Sequence, residues 1–418
     1  MKIEPKKICL VTMGCDKNRA DSEQLSGYLA KAGFTFVADD AAADIIIVNT
    51  CGFIHSARAE SIYMIADKLE YHLHQKTKLV VCGCLVENNQ ETLAAGFPEV
   101  DLWWGTKDYA KLAETLSGMV TTPTPKLLST PKSYAYIKIA DGCNRRCGFC
   151  TIPLIRGNYV SRPLADIVAE VEHFANLGVP EFILVAQDVT MYGIDIQSNL
   201  VDLLHAITAV PGVKRVRLHY CYPDLLTDRL LTEIANNEKI VKYLDIPFQH
   251  CNARILDLMH RPGNAEGYRD LISKIRKMIP DVTLRATFMV GFPTETDAEF
   301  EELVAFLEDV KLDYVGFFSY SRELGTTSYD LPQHTPKIKR QRLQMVTKVQ
   351  KRILELKNRA KRGTTVRVVC DAVKDGIATC RTFGQSPDVD PCVLVEGDLV
   401  VGQEYDIVLG KDNHGQLV

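Results

Sequence analysis

Two stretches in which apolar strand-like runs alternate with amphipathic helices constrain this chain more than any other feature. Up to about Gly118 the order is "KKICLVTMGC", "DSEQLSGYLAKAG", "ADIIIVNTC", a helical run near Ser56 to Gln75, "KLVVCGC", a helix near Glu91, "VDLWWGT" and "KDYAKLAETLSG". Parallel strands need crossover helices, so this alternation predicts a small doubly wound parallel sheet. The Thr/Pro-rich "VTTPTPKLLSTPKS" then reads as a linker. From Tyr134 to Glu323 the alternation resumes with "YAYIKIA", "EFILVAQ", "VKRVRLHY", "YLDIP", "TLRATFMVGF" and "DYVGFFSYSRE". Six such units with short connections predict a partial or complete (β/α) barrel, whose chemistry belongs at the C-terminal strand ends. Lys337 to Arg362 reads as one long helix carrying eleven Lys/Arg against one Glu. Beyond Gly363, "VRVVCDAV", "GIATCRTF", "CVLVEG" and "YDIVLG" predict a small antiparallel, OB-like barrel. The expected class is α/β, with domains at 1–120, 133–336 and 363–418 and the basic helix 337–362 between the last two.

A net charge of −4 predicts no strong overall attraction to nucleic acid or anionic membrane. No apolar run approaches a membrane span, and "MKIEPKKICLVTMGC" is a poor secretory signal, so a cytoplasmic protein is expected. In that reducing compartment thirteen cysteines serve as metal ligands, reactive thiols or core residues rather than as disulfides.

Three of them, Cys143, Cys147 and Cys150, lie within eight positions directly after the first barrel strand, in "DGCNRRCGFC". Gly142 and Gly148 allow the backbone to wrap closely around a ligand. Structural zinc asks for a fourth Cys or His, which this loop does not supply. A four-iron cluster held by three thiolates keeps one iron open to a substrate. The spacing C-x3-C-x2-C, with Phe149 before the last cysteine, resembles the signature of the radical S-adenosylmethionine (SAM) enzymes. The resemblance implies that the open iron chelates SAM and that an electron from the cluster cleaves it to a 5′-deoxyadenosyl radical. Further strand ends are similar to that superfamily's SAM-binding elements. Gln187 and Asp188 follow strand two, Gln249 and His250 follow strand four, and Arg285 precedes the Gly291-Phe292-Pro293 turn.

A second set, Cys15, Cys51 and Cys84, ends three predicted parallel strands, so these sequence-distant thiols can meet along one sheet edge. With "GCDKNRADSE", "NTCGFI" and "GCL", the radical SAM loop and the OB-like tail, the whole chain resembles the methylthiotransferases. The resemblance implies that this trio holds an auxiliary 4Fe-4S cluster that carries sulfur, making two 4Fe-4S clusters. SAM then acts as methyl donor and as radical source, and an electron donor such as flavodoxin or ferredoxin is needed. Cys82, beside Cys84, is a competing ligand.

Sibling families modify an adenosine of tRNA or an aspartate of the small-subunit ribosomal protein S-twelve. Gly363 to Val418 carries four basic against nine acidic residues, which suits a basic ribosomal protein or assembling ribosome better than a phosphate backbone. On this reading Asp388 and Asp390 are expected on the docking surface. "RTFGQSPDVD" and "HYCYPD" also look more like the ribosomal-protein type, the RimO family, with tRNA as the alternative substrate. The basic helix either touches RNA or is a solvated linker balancing the acidic tail. A zinc module needs closed four-ligand sites, and a plain electron carrier has no use for SAM-like strand ends.

Overall fold

A computed structural model describes residues 5–418 except Lys76, Pro123 and Asp412. In the first unit, β1 (Lys7–Thr12), β2 (Thr35–Phe36), β3 (Ile45–Thr50), β4 (Lys78–Gly83) and β5 (Leu102–Trp104) form one sheet in the order β2-β1-β3-β4-β5. All pairings are parallel. Alternate residues of each strand enter cores on opposite faces: Ile8, Ile45, Ile47, Val80 and Cys82 on one, Cys9, Ile46, Val48, Leu79 and Val81 on the other. Burial on both faces is what makes "IIIV" a continuous apolar run. The first helix spans Asp16–Lys31, five residues earlier than the "DSEQ" pattern suggests. Its start is set by Cys15, whose extended backbone caps the helix and whose carbonyl accepts from the Arg19 N–H at 3.0 Å.

The Thr/Pro-rich segment is not a free tether. Lys126 is buried against Glu23 of the first helix at 3.0 Å and Glu170 of the helix Leu164–Asn176 at 3.3 Å.

The second unit contains β6 (Ala135–Lys138), a hairpin of β7 (Ala140–Asp141) with β8 (Val160–Ser161), then β9 (Glu181–Val185), β10 (Arg215–Leu218), β11 (Ile240–Gln249), β12 (Thr283–Val290) and β13 (Tyr314–Ser319). The six main strands lie in the order β13-β12-β11-β10-β9-β6, all parallel, with β6 and β13 as free edges. The barrel is therefore partial. Its outer face packs the apolar sides of the helices, while the inner face carries Tyr136, Arg217, His219, Tyr243, Asp245 and Arg285.

The basic helix, Pro336–Lys361, leads to a closed barrel of β14 (Thr365–Lys374), β15 (Ile377–Thr382), β16 (Val393–Glu396), β17 (Glu404–Leu409) and β18 (His414–Leu417). Two features depart from the sequence expectation. The short β18 was not anticipated, and it pairs parallel with β16, so the barrel is not wholly antiparallel. Cys370 and Cys380 sit opposite each other in the barrel core.

The loop after β15 turns back toward the open barrel, which buries the Asp390 carboxyl and takes it off the expected docking surface, whereas Asp388 stays exposed at the rim. Asp388 accepts from Arg19 at 3.0 Å, Tyr134 at 2.9 Å and Tyr136 at 3.3 Å. Asp390 accepts from the Tyr243 hydroxyl at 2.7 Å and the Ser386 N–H at 2.8 Å, and pairs with Arg285 at 3.4 Å.

Candidate active site

Cys15, Cys51 and Cys84 each leave the C-terminal edge of one of three adjacent strands, β1, β3 and β4. The turns bring them close together. Gly14 is at φ +90, and a Cβ there would stand 2.9 Å from the Cys51 sulfur, so only glycine lets these two loops touch. Cys84 opens a short helix, Cys84–Glu87, directly after β4. Its Sγ accepts from the Arg156 guanidinium at 3.1 Å. Burial raises Cys84 to about 11, with Arg156 pulling the other way. Cys82 points into the apolar core with Ile8 and Leu25 and is fully buried, whereas Cys84 faces Arg156.

In the other trio, Gly142 at φ +73 passes so close to the Asn158 carbonyl that any Cβ would sit 2.1 Å from it. The loop then folds over itself, with the Cys150 N–H donating to the Cys147 carbonyl at 3.0 Å. The Arg145 N–H donates to Cys143 Sγ at 3.4 Å; Cys147 Sγ lies 3.4 Å from the Tyr222 hydroxyl and accepts from Arg261 at 3.6 Å. Tyr222 is stacked between the Arg145 and Arg261 guanidinium groups, 3.7 and 3.9 Å from its centroid. Burial pushes Cys150 up to about 12 and raises Cys143. Phe149 packs with Ile255, Met259 and Phe292 and pins the loop.

The two trios face each other across the junction of their units. Thr151, next to Cys150, donates to the Phe53 carbonyl, two residues past Cys51, at 3.0 Å. Arg156 reaches from the helix Ile152–Arg156 to Cys84, Asp21 at 2.8 Å and Asp141 at 3.1 Å. The buried cation thus fixes one thiol of the first trio from the backbone that carries the second. Sequence reasoning missed Arg156, Tyr222 and Arg261. The one available cue for Arg156 is a charged residue ending the apolar run "TIPLIR".

The residues suggested for SAM divide. Gln187 donates to Asp141 at 3.4 Å, beside the cluster loop, and its buried Oε1 has no partner among the described residues. Asp188 is buried and holds Arg145 Nε at 2.9 Å, so it shapes the loop rather than facing open space. Gln249 ends β11 at φ +70, on the same strand edge. His250 and Arg285 are not brought there. His250 is fully buried, 3.4 Å from Glu295, and accepts the Asn252 N–H. Arg285 lies in the first half of β12, paired with Asp245 and Asp390, away from the cluster edge.

The donor set fits iron-sulfur clusters: two groups of three thiols at strand ends, each met by N–H or guanidinium donors. Among the described residues no group of three His, Cys, Asp or Glu side chains converges as tightly as a single ion requires. A four-iron cluster takes one thiolate per corner iron, and so accepts a wider spread.

Residues 7–105 match the model of an uncharacterized protein family, UPF0004, residues 137–307 the radical SAM superfamily and residues 363–414 the TRAM domain. Over 433 aligned residues the chain is 40% identical to the ribosomal protein uS12 methylthiotransferase RimO of Thermoanaerobacter sp. (strain X514), covering 96% of this chain and 99% of that protein. The chain belongs to the RimO family. A second RimO relative, from Clostridium botulinum (strain Hall), is 41% identical over 415 residues, with 95% and 93% covered. A solved structure, the radical SAM methyltransferase TsrM of Kitasatospora setae with cobalamin and a 4Fe-4S cluster bound, superimposes with a TM-score of 0.56 at 15% identity. It covers 78% of this chain and 77% of that one, and at such identity the likeness speaks for the fold. The closed barrel that carries Asp388 and Asp390 on its β15–β16 loop is accordingly the TRAM domain of this RimO-family chain.

Proposed function

We propose that this chain sets a methylthio group on the β-carbon of an aspartate in ribosomal protein uS12. The observation that carries the reading is the pair of facing cysteine trios, joined through Thr151–Phe53 and Arg156–Cys84. Full-length relatives at about 40% identity bear the name of that activity and support the choice of uS12 over tRNA.

In this reading Cys143, Cys147 and Cys150 hold one 4Fe-4S cluster and Cys15, Cys51 and Cys84 the auxiliary one. When bound, the clusters and SAM supply the one-electron chemistry and the methylated sulfur, which no side chain here can provide. The chain's own residues position and enclose. Arg145, clamped by Asp188 and by Asp224 at 2.8 Å, and Arg261 hold Tyr222 over the radical SAM loop. The unpartnered Gln187 Oε1 and the strand-end Gln249 are offered to SAM. Since a hydrogen atom rather than a proton leaves the substrate carbon, no general base is called for. The partners are uS12, alone or on an assembling ribosome, and a flavodoxin- or ferredoxin-type donor. The setting is the cytoplasm; among the described residues no helix is long and apolar enough to cross a membrane.

Anaerobic reconstitution should load about eight irons per chain. Changing Cys143, Cys147 and Cys150 to alanine should remove half the iron and all SAM cleavage. Mass spectrometry on a deletion strain should show uS12 without its methylthio mark. Loss of the mark from tRNA instead, with uS12 intact, would overturn the substrate assignment.

A further inference from the structure

The helix Pro336–Lys361 has two faces of opposite character. Arg342, Val346, Gln350 and Ile353 are buried against the barrel. Lys337, Arg340, Lys348, Lys351, Arg359 and, at the cap, Arg362 are exposed, and at 100° per residue they fall within an arc of about 100°. This cationic line is about 37 Å long. Three inward and flanking cations of the same helix are neutralised by the barrel: Arg342 by Glu295 and Asp297, Arg352 by Glu308, Lys357 by Asp313. The outer ones are not. Among the described residues only Lys351 has an acid within reach, Glu355 at 3.9 Å.

Among the described residues no ion pair joins this helix to residues 363–418. Like charges three apart, as at Lys337/Arg340, Lys348/Lys351 and Arg359/Arg362, weaken a helix. Within each pair the spacing is inside the screening length of about 8 Å at physiological salt, so each pair acts as one doubly charged site, and successive pairs follow along the helix after gaps of about 12 Å. A linear row of cations with little apolar centre matches a linear polyanion, whereas protein interfaces are patches with an apolar middle. The helix starts at the catalytic edge: Arg342 donates to the Glu295 carbonyl at 2.9 Å, and Lys339 to that of Tyr320, both just beyond the ends of β12 and β13.

We infer that the exposed face of this helix docks the phosphate backbone of RNA, namely the ribosomal RNA of a particle that already carries uS12. The choice of ribosomal RNA rests on the uS12 reading. An RNA strand laid along the stripe ends beside the cysteine edge, where the protein component of the particle must present its aspartate.

The test uses reconstituted holoenzyme and the quadruple variant Lys337→Gln, Arg340→Gln, Lys348→Gln, Lys351→Gln. Binding to small ribosomal subunits from a deletion strain is measured against salt. The wild type should show a steep slope of log affinity against log salt, and the variant a slope smaller by about 3, as four lost phosphate contacts require. Methylthiolation of intact subunits should fall at least about tenfold. Methylthiolation of free uS12, and SAM cleavage without substrate, should stay at wild-type rates, which also shows that the variant folds. Equal affinities and slopes for both proteins overturn the proposal. So does a defect seen only when an acidic flavoprotein replaces dithionite as reductant, since the stripe then serves the electron donor. If the wild type modifies uS12 in neither form, the substrate reading fails, and the salt slopes still decide the stripe.

Discussion

Arg156 has the most demanding position of any side chain near the thiols. It is buried, donates to Cys84 Sγ, and is balanced by Asp21 and Asp141. A planar fork reaches sulfur and carboxylates from two separate nitrogens in fixed directions, a geometry that the single nitrogen of a lysine ammonium does not reproduce. Arg156→Lys should therefore leave SAM cleavage within about twofold of wild type and reduce methylthio transfer at least about tenfold, or 1.4 kcal/mol of barrier. Paired assays of 5′-deoxyadenosine and modified uS12 check this, and equal loss of both would show Arg156 to be merely structural. The neighbouring cysteines give a second contrast. Cys82→Ala removes only a core sulfur and should cost about 1 kcal/mol of stability with iron content unchanged. Cys84→Ala should drop iron by about half. The opposite pattern would exchange the two residues in the auxiliary site.

At the level of elements, the TRAM barrel is clasped to the partial barrel by buried charge. Glu181, the first residue of β9, is fully buried and accepts from Arg217 at 2.9 Å, Arg215 at 3.2 Å and, from the TRAM barrel, Arg381 at 2.8 Å. Burial alone would raise its carboxyl, but the three guanidinium groups hold it well below the usual range. A depressed carboxylate contributes stability above its unfolded value, near 4.3, and loses it as pH falls toward the folded one. The clasp should thus be insensitive to pH between 7 and about 5 and weaken only below about 4. Glu181→Gln, which strands buried cations, should cost about 3–5 kcal/mol at neutral pH and remove that acid dependence. Urea melts at several pH values measure both; a variant as stable as wild type at pH 7 would refute the account. None of this clasp was legible in the sequence. The strands were, because "IIIV" and "FILV" are buried on both faces and leave continuous apolar runs. β18, "HGQL", buries only its glycine and leaves no pattern. The cysteines stand out because spacing and strand ends are local features. Arg156, Arg261 and Tyr222 are single residues whose partners lie far away along the chain. Asp390 looks like a surface acid until Tyr243 and Arg285 are folded around it, and nothing local to the exposed Asp388 tells of its bonds to Arg19 and Tyr134.

For the molecule as a whole, the chemistry requires two sites on different units to keep one separation, and a chain of contacts through all three units supports it. Asp16, directly after Cys15, lies 3.1 Å from His219 Nδ1 and accepts from the Tyr220 hydroxyl at 3.2 Å. The other ring nitrogen of His219 is 2.7 Å from the Ser386 hydroxyl on the TRAM loop. A histidine at the end of β10 thereby joins the auxiliary cysteine turn to the TRAM barrel. Displacing a reacting group by about 1 Å can cost about 100-fold in rate while leaving ground-state binding almost unchanged. His219→Leu, a substitution of similar size that can serve neither Asp16 nor Ser386, should lower single-turnover methylthio transfer by about 10- to 100-fold. The KM for uS12 and the rate of SAM cleavage should stay near wild type, because neither the substrate surface nor the radical SAM loop is touched. His219→Gln, with a donor and an acceptor still in place, should recover part of the loss, and Ser386→Ala should show a smaller defect in the same direction. A variant that lost SAM cleavage and methylthio transfer together would mean that His219 supports the barrel as a whole rather than the spacing of the two cysteine sites.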